Sequence, residues 1–166
     1  MRLKGMGIIG LVTLALLFAP FAAVAQQAVF LVRHAEQSVG VKDPPLTEAG
    51  ERRATALATV LRDAGINVIY ISERGRTIQT AEPLAKALNV EIKTMPRRDI
   101  HGLVGRLRTQ HAHDRVLVVS HSLTVPALLK ALGHPGEVTI ARDEYDSLFV
   151  IVPKNDGGPV VLRLRF

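Results

Sequence analysis

Two alternating patterns do most to limit what this chain can fold into. Residues 28–32 (AVFLV) form a short unbroken apolar run, and 67–72 (NVIYIS), 90–95 (VEIKTM) and 115–120 (RVLVVS) read as further strands. Each is followed by a segment whose apolar residues recur at helical spacing. Unbroken runs of this length suit strands covered on both faces, whereas a half-solvated strand would alternate. After the first run, Thr47 is placed to cap a helix, with Glu48 and Glu51 in its first turn. Ala54, Leu57, Ala58 and Leu61 form its apolar face, and Gly65 follows as a stop signal. A second helix over residues 75–88 carries Ile78, Ala81, Leu84, Ala85 and Leu88 inward, and Pro83 predicts a kink in it. Ile100, Leu103, Val104 and Leu107 mark a third helix. Val125, Leu128, Leu129 and Leu132, ended by Gly133, mark a fourth that starts directly after His121. Residues 145–152 and 159–166 read as a hairpin around a turn at 155–158 (NDGG). Strands alternating with helices require crossovers that cover the sheet. The expected fold class is therefore α/β, a three-layer αβα sandwich with a mostly parallel sheet and an antiparallel C-terminal edge.

Composition narrows the chemistry. The chain has 166 residues, of which 48% are apolar and 22% charged, the balance of one globular domain. It contains no Cys, which excludes disulfides, a thiol nucleophile and thiolate metal sites. The first 25 residues differ from the rest. Arg2 and Lys4 precede an apolar stretch, and Ala23-Val24-Ala25 precedes Gln26, the pattern of an export signal cut after Ala25. An uncleaved membrane anchor is the alternative, but the first strand begins at Ala28 and leaves almost no tether. The expected layout is a signal peptide at 1–25 and one domain at 26–166, in a periplasmic or secreted protein with no membrane contact after cleavage. Setting aside Arg2 and Lys4 lowers the net charge from +6 to +4. That excess favours an anion, but scattered charges and few aromatics argue against nucleic acid.

In sheets of this class, ligands gather at the carboxyl ends of parallel strands. The first run delivers Arg33 and His34. The second delivers Ser72 and, one turn later, Arg76. The fourth delivers His121, with Ser122 expected to open a helix whose free N–H groups suit an anion. Two guanidiniums and two imidazoles on one rim make a pocket for an oxyanion of phosphate type.

The segments LVRHAEQ (31–37), DPPLTEAG (43–50), SERGRTIQTA (72–81) and VVSHSLTVP (118–126), with EYDSLFVIV (144–152) last, resemble the successive motifs of the histidine phosphatase superfamily, the phosphoglycerate-mutase-like group, in its short form without a cap insertion. The resemblance runs in order along the whole of 26–166. It implies that His34 is a nucleophile that becomes transiently phosphorylated, while Arg33, Arg76 and His121 clamp the phosphoryl group and Ser122 and Glu36 are candidate substrate contacts. Glu36 could equally orient Arg33 or its loop. Thr47 and Gly50 match too, although a helix cap and a close-packing glycine account for both. No metal or other cofactor is implied, because positive charge on the equatorial oxygens can come from the side chains themselves. The implied partner is a small anionic phosphorylated substrate. An exported enzyme would not meet glycolytic intermediates, so a phosphatase is expected rather than a mutase.

The resemblance fails at the proton donor. Members of the family carry a Glu after the third strand or an Asp after the second histidine. Here those places hold the loop 95–101 (MPRRDIH) and Ser122. Asp99, His101 and Glu144 are the candidates, with Asp143 behind them. A substrate with a good leaving group would need little acid help. A non-catalytic phosphate-binding module that keeps the pocket is the alternative reading. His111-Ala112-His113-Asp114 has metal-ligand character, but it precedes the fourth strand at the far end of the sheet and reads as an exposed polar turn.

Overall fold

The computed structural model describes residues 27–154 and 156–166. The expected export segment, 1–25, lies outside the described residues, as does Asn155 of the hairpin turn. The order of elements is β1 (Ala28–Arg33), α1 (Glu48–Leu61), β2 (Val68–Ser72), α2 (Gly75–Leu88), β3 (Ile92–Met95), α3 (Ile100–Thr109), β4 (Arg115–Ser120), α4 (Thr124–Ala131), β5 (Ser147–Val152) and β6 (Val160–Arg165). The strands form one sheet in the order β3-β2-β4-β1-β5-β6. The first four are mutually parallel, and β5 and β6 add antiparallel at one edge. This is the expected three-layer fold.

Alternation along the strands sorts the core into two layers. In β4, Val116 and Val118 meet Leu103, Val104 and Leu107 of α3 and Val125, Leu128 and Leu129 of α4. Leu117 and Val119 face the other way, onto Leu57 and Leu61 of α1 and Ala81, Leu84 and Ala85 of α2. The chain thus leaves β1 and β2 toward one face of the sheet and β3 and β4 toward the other. The loops after β1, β2 and β4 diverge around a crevice at their carboxyl ends, the usual ligand position in such sheets.

Helix boundaries follow their local chemistry. Thr47 Oγ1 accepts the Gly50 N–H at 3.1 Å and caps α1. Gly65 adopts φ +69° after that helix, a backbone state that L side chains rarely take. Gly50 is needed for space, because a Cβ there would lie 2.2 Å from the Glu36 carbonyl oxygen.

Three expectations need correction. Ile78 is 42% exposed, because Thr77 and Thr80 occupy the inward side of the first turns of α2 and hydrogen-bond the site. The fourth helix begins at Thr124, so Ser122 lies in the turn before it rather than opening it. His111 is buried rather than exposed, since Tyr70 Oη lies 3.0 Å from its Nε2 and Asp114 Oδ2 lies 2.7 Å from its Nδ1. That cluster does stand at the amino end of β4, as expected.

Candidate active site

His34 leaves β1 where the strand ends, and its amide still bonds the Ser120 carbonyl of β4 at 2.9 Å. The turn behind it is fixed by the Ala35 N–H, which donates to Thr80 Oγ1 at 3.0 Å. The imidazole is held at both nitrogens. Nδ1–H donates to the Ala35 carbonyl at 2.8 Å, which leaves the lone pair on Nε2. Arg76 Nε–H donates to that Nε2 at 3.1 Å. The ring is therefore neutral, with a nucleophilic nitrogen toward the pocket. Burial, together with Arg76 and Arg33, lowers its pKa to about 4, despite the opposing pull of the Ala35 carbonyl.

His121 follows β4, and its ring stands edge-on to His34 with centroids 5.2 Å apart. Its Nε2 is 2.8 Å from Ser72 Oγ, which lies 3.2 Å from Thr77 Oγ1. Thr77 Oγ1 in turn donates to main-chain carbonyls of Ser72 and Arg74. This chain of hydroxyls places the Nε2 proton on His121 and leaves Nδ1 as an acceptor, 3.5 Å from Arg76 Nη2. Burial is the chief cause of a pKa lowered to about 3, with His34, Arg76 and Arg97 adding to it.

The two arginines are held differently. Arg76 is tied by an ion pair to Asp43 Oδ1 at 3.2 Å, and Asp43 Oδ2 also accepts the Gly75 N–H that opens α2. Arg33 is 8% exposed and has no carboxylate partner among the described residues. Its Nη1 donates to the carbonyls of Ala141, Arg142 and Glu144 at 3.1, 3.0 and 2.9 Å, and its guanidinium lies 3.8 Å from the centre of the Tyr145 ring. Among the described residues, the buried Nε of Arg33 and the buried Oε1 of Gln37 have no hydrogen-bond partner. Carbonyls and a π-face orient this cation without neutralising it, which keeps its full charge for a ligand.

A cavity of about 390 Å³ opens over these groups, lined by Arg33, His34, Gln37, Arg76, His121 and Thr124, with Ser122, Leu123 and the pair Arg97 and Arg98. Among the described residues, no acidic one lines it. Of the candidates read from the sequence, Arg33, His34, Arg76, His121 and Ser122 meet here. The other five do not. Glu36 is turned to Arg53, whose Nε–H lies 2.8 and 2.9 Å from its two oxygens, and it does not reach the cavity. Asp99 caps α3 by accepting the Gly102 N–H at 2.9 Å. Glu144 binds Arg163 and Ser147, and it is the main chain of Glu144 that serves the site, through Arg33. His101 and Asp143 are exposed and away from the lining. Sequence reasoning missed Tyr145, Thr77, Thr80 and Gln37 as parts of the site. Thr77 and Thr80 had a readable signal, two hydroxyl residues on the apolar side of α2.

The chain is similar to known proteins in sequence and in fold. Residues 29–99 match the model of the histidine phosphatase superfamily (branch 1). A probable phosphoglycerate mutase GpmB of Yersinia enterocolitica is 45% identical over 76 residues, 42% of this chain and 35% of that protein. The chain thus spans about a third of the length of the curated relatives it matches. The protein histidine phosphatase SixA, solved with tungstate, superposes with a TM-score of 0.70 at 22% identity, over 83% of this chain and 96% of that one. A phosphoserine phosphatase of Entamoeba histolytica, solved with 3-phosphoglyceric acid, gives 0.64 at 15% identity, over 84% and 97%. The structural likenesses extend over the α/β fold beyond the matched motif region. Motifs, sheet order and the match over residues 29–99 agree in making the chain similar to the histidine phosphatase superfamily.

Proposed function

We propose that the protein is a metal-independent phosphatase that hydrolyses a small phosphorylated substrate through a phosphohistidine on His34. The observation that carries this reading is the fixed tautomer of His34. Its Nδ1 proton is held by the Ala35 carbonyl, and its Nε2 faces a cavity lined by four arginines. The substrate phosphoryl group replaces the imidazole as the acceptor for Arg76, and Arg33 binds its remaining oxygens; His121 joins this clamp as the imidazolium, with a proton on Nδ1 that the bound dianion stabilises. The Nε2 lone pair then attacks phosphorus in line as the bond to the leaving oxygen breaks. Guanidinium charge on the equatorial oxygens is what such a transition state needs most. Water next attacks the phosphohistidine, the N–P bond breaks, and phosphate leaves. The family relatives named above include both phosphatases and mutases. Release to water is favoured here by the export signal read at 1–25, which would place the protein in the periplasm or outside the cell.

The absence of a carboxylate from the cavity lining favours a second reading, a phosphate-binding module without turnover. One experiment separates the two. The purified protein is given 4-nitrophenyl phosphate in the presence of a chelator, beside His34→Ala. Turnover that resists the chelator and vanishes in the variant supports the phosphatase. No turnover, with vanadate still bound by the parent protein, supports the binding module.

A further inference from the structure

The four arginines that line the cavity are not equivalent. Arg33 and Arg76 stand against the two imidazoles, where the transferred phosphoryl group must sit. Arg97 and Arg98 come from a different element, the loop between β3 and α3. That loop is pinned at both ends. The Arg97 N–H donates to Glu73 Oε2 at 2.9 Å, and Asp99 caps the following helix. Glu73 and Asp99, the carboxylates that pin this loop, accept main-chain N–H groups, and among the described residues no ion pair joins either to Arg97 or Arg98. Among the described residues, neither the Arg97 nor the Arg98 side chain takes part in an ion pair or hydrogen bond. Two unpaired guanidiniums on a tethered loop, lining the same cavity, form a second centre of positive charge.

We propose that Arg97 and Arg98 form an anion subsite beside the phosphoryl pocket, and that the preferred substrates are phosphoanhydrides, in which the scissile phosphoryl is joined to another phosphate. The proposal rests on the phosphohistidine reading above and deepens it. It also accounts for the missing carboxylic acid. When His34 Nε2 attacks the terminal phosphorus of a diphosphate, the N–P bond forms and the bridging P–O bond breaks. Its electron pair stays on the bridging oxygen, which leaves as part of a phosphate anion. That anion is stable in water without a donated proton, and Arg97 and Arg98 hold it as its charge grows. Water then takes the phosphoryl group from His34. The sum is diphosphate and water giving two phosphates, with no other reactant. An alkyl phosphate would leave as an alkoxide and would need the acid this cavity lacks.

The test compares inorganic diphosphate with 4-nitrophenyl phosphate, both in chelator, in the parent protein and in Arg97→Gln/Arg98→Gln. The ratio of kcat/KM for diphosphate to that for the aryl phosphate is expected to fall at least tenfold in the double variant. Arg97→Lys/Arg98→Lys, which keeps the charge, is expected to recover part of it. A measurement on the parent protein alone guards against a variant that fails to fold. Methylenediphosphonate should inhibit aryl phosphate turnover at least tenfold more tightly than methylphosphonate. Equal inhibition by the two, or a ratio unchanged in the glutamine variant, overturns the subsite while leaving the phosphatase standing. Absence of turnover with either substrate, with vanadate still bound, overturns the phosphohistidine reading and the subsite with it.

Discussion

His34 and His121 share one electrostatic situation, and it has consequences that can be measured at the level of single residues. Both rings are buried among arginines, so both resist protonation, with pKa values lowered from 6.5 to about 4 and about 3. A histidine NMR titration of the unliganded protein should show both rings still neutral at pH 5.5. A midpoint near 6.5 for either would contradict the account. Linkage follows with a definite sign. Between pH 6.5 and the folded values, the unfolded chain binds more protons than the folded one. This contribution to stability is therefore complete above pH 6.5 and is lost as pH falls through about 4 and about 3. Arg76 acts differently, since in the proposed reaction its Nε–H, now bonded to His34, passes to the substrate. Arg76→Lys keeps the charge but loses that geometry, and kcat should fall by about a hundredfold or more, as when a fixed oxyanion donor is removed. Asp99 provides the contrast. If it serves only as the cap of α3, Asp99→Ala costs about 1 kcal/mol in a denaturant melt and leaves turnover within about twofold. A hundredfold loss of kcat would instead make it the proton donor. The four residues at the strand ends were legible because a parallel sheet brings those ends together. The partner of Glu36 was not, since Arg53 lies on α1 and only the packed fold brings the two charges together.

At the scale of elements, the site depends on how tightly α1 and α2 approach the loop after β1. The sequence showed these helices well, because Thr47, Gly65 and the apolar spacing act locally. It misjudged the inward face of α2 because hydrophobic periodicity does not register a buried hydroxyl that has found a partner. Thr80 is such a case, accepting from Ala35 and donating to the Arg76 carbonyl at 2.7 Å. The start of α4 was misplaced for a related reason. Ser122 looks like a cap, but the His121 carbonyl accepts the N–H groups of Thr124 and Val125 at 3.0 and 2.9 Å, which sets the helix start two residues later. The closest approach is at Gly50. Gly50→Ala would force α1 away from the Glu36 carbonyl and should cost about 1–3 kcal/mol by overpacking, read as a lower denaturant midpoint. Because Glu36 lies two residues from His34, the same variant should also lower kcat. Unchanged stability would show that the helix can shift freely and that the contact does not position the loop.

At the scale of the whole molecule, the fold explains why the site stands where it does and why its charge survives burial. The crossovers leave toward opposite faces around β4, so three loops open a crevice that no single helix closes. The edge pair β5 and β6 makes a contribution that the sequence alone did not reveal. The segment leading into β5 turns the carbonyls of Ala141, Arg142 and Glu144 and the ring of Tyr145 onto Arg33. A cation can thus be buried almost as deeply as His34, at 8% exposure against 4%, without an ion-paired carboxylate. Apart from Arg76 with Asp43, the charged pairing lies outside the cavity, as at Glu36 with Arg53 and Glu144 with Arg163. The result is a pocket with net positive charge around a neutral imidazole, the nucleophile of the proposed reaction. The central claim is that His34 carries the phosphoryl group, and trapping the intermediate tests it most directly. The protein is mixed with a labelled phosphorylated substrate, quenched under alkaline conditions within the first turnover, and digested for mass spectrometry. The account predicts an acid-labile, base-stable phosphoryl group on the peptide containing His34, absent in His34→Ala. Turnover without any such adduct, or an adduct that persists in the variant, would contradict it.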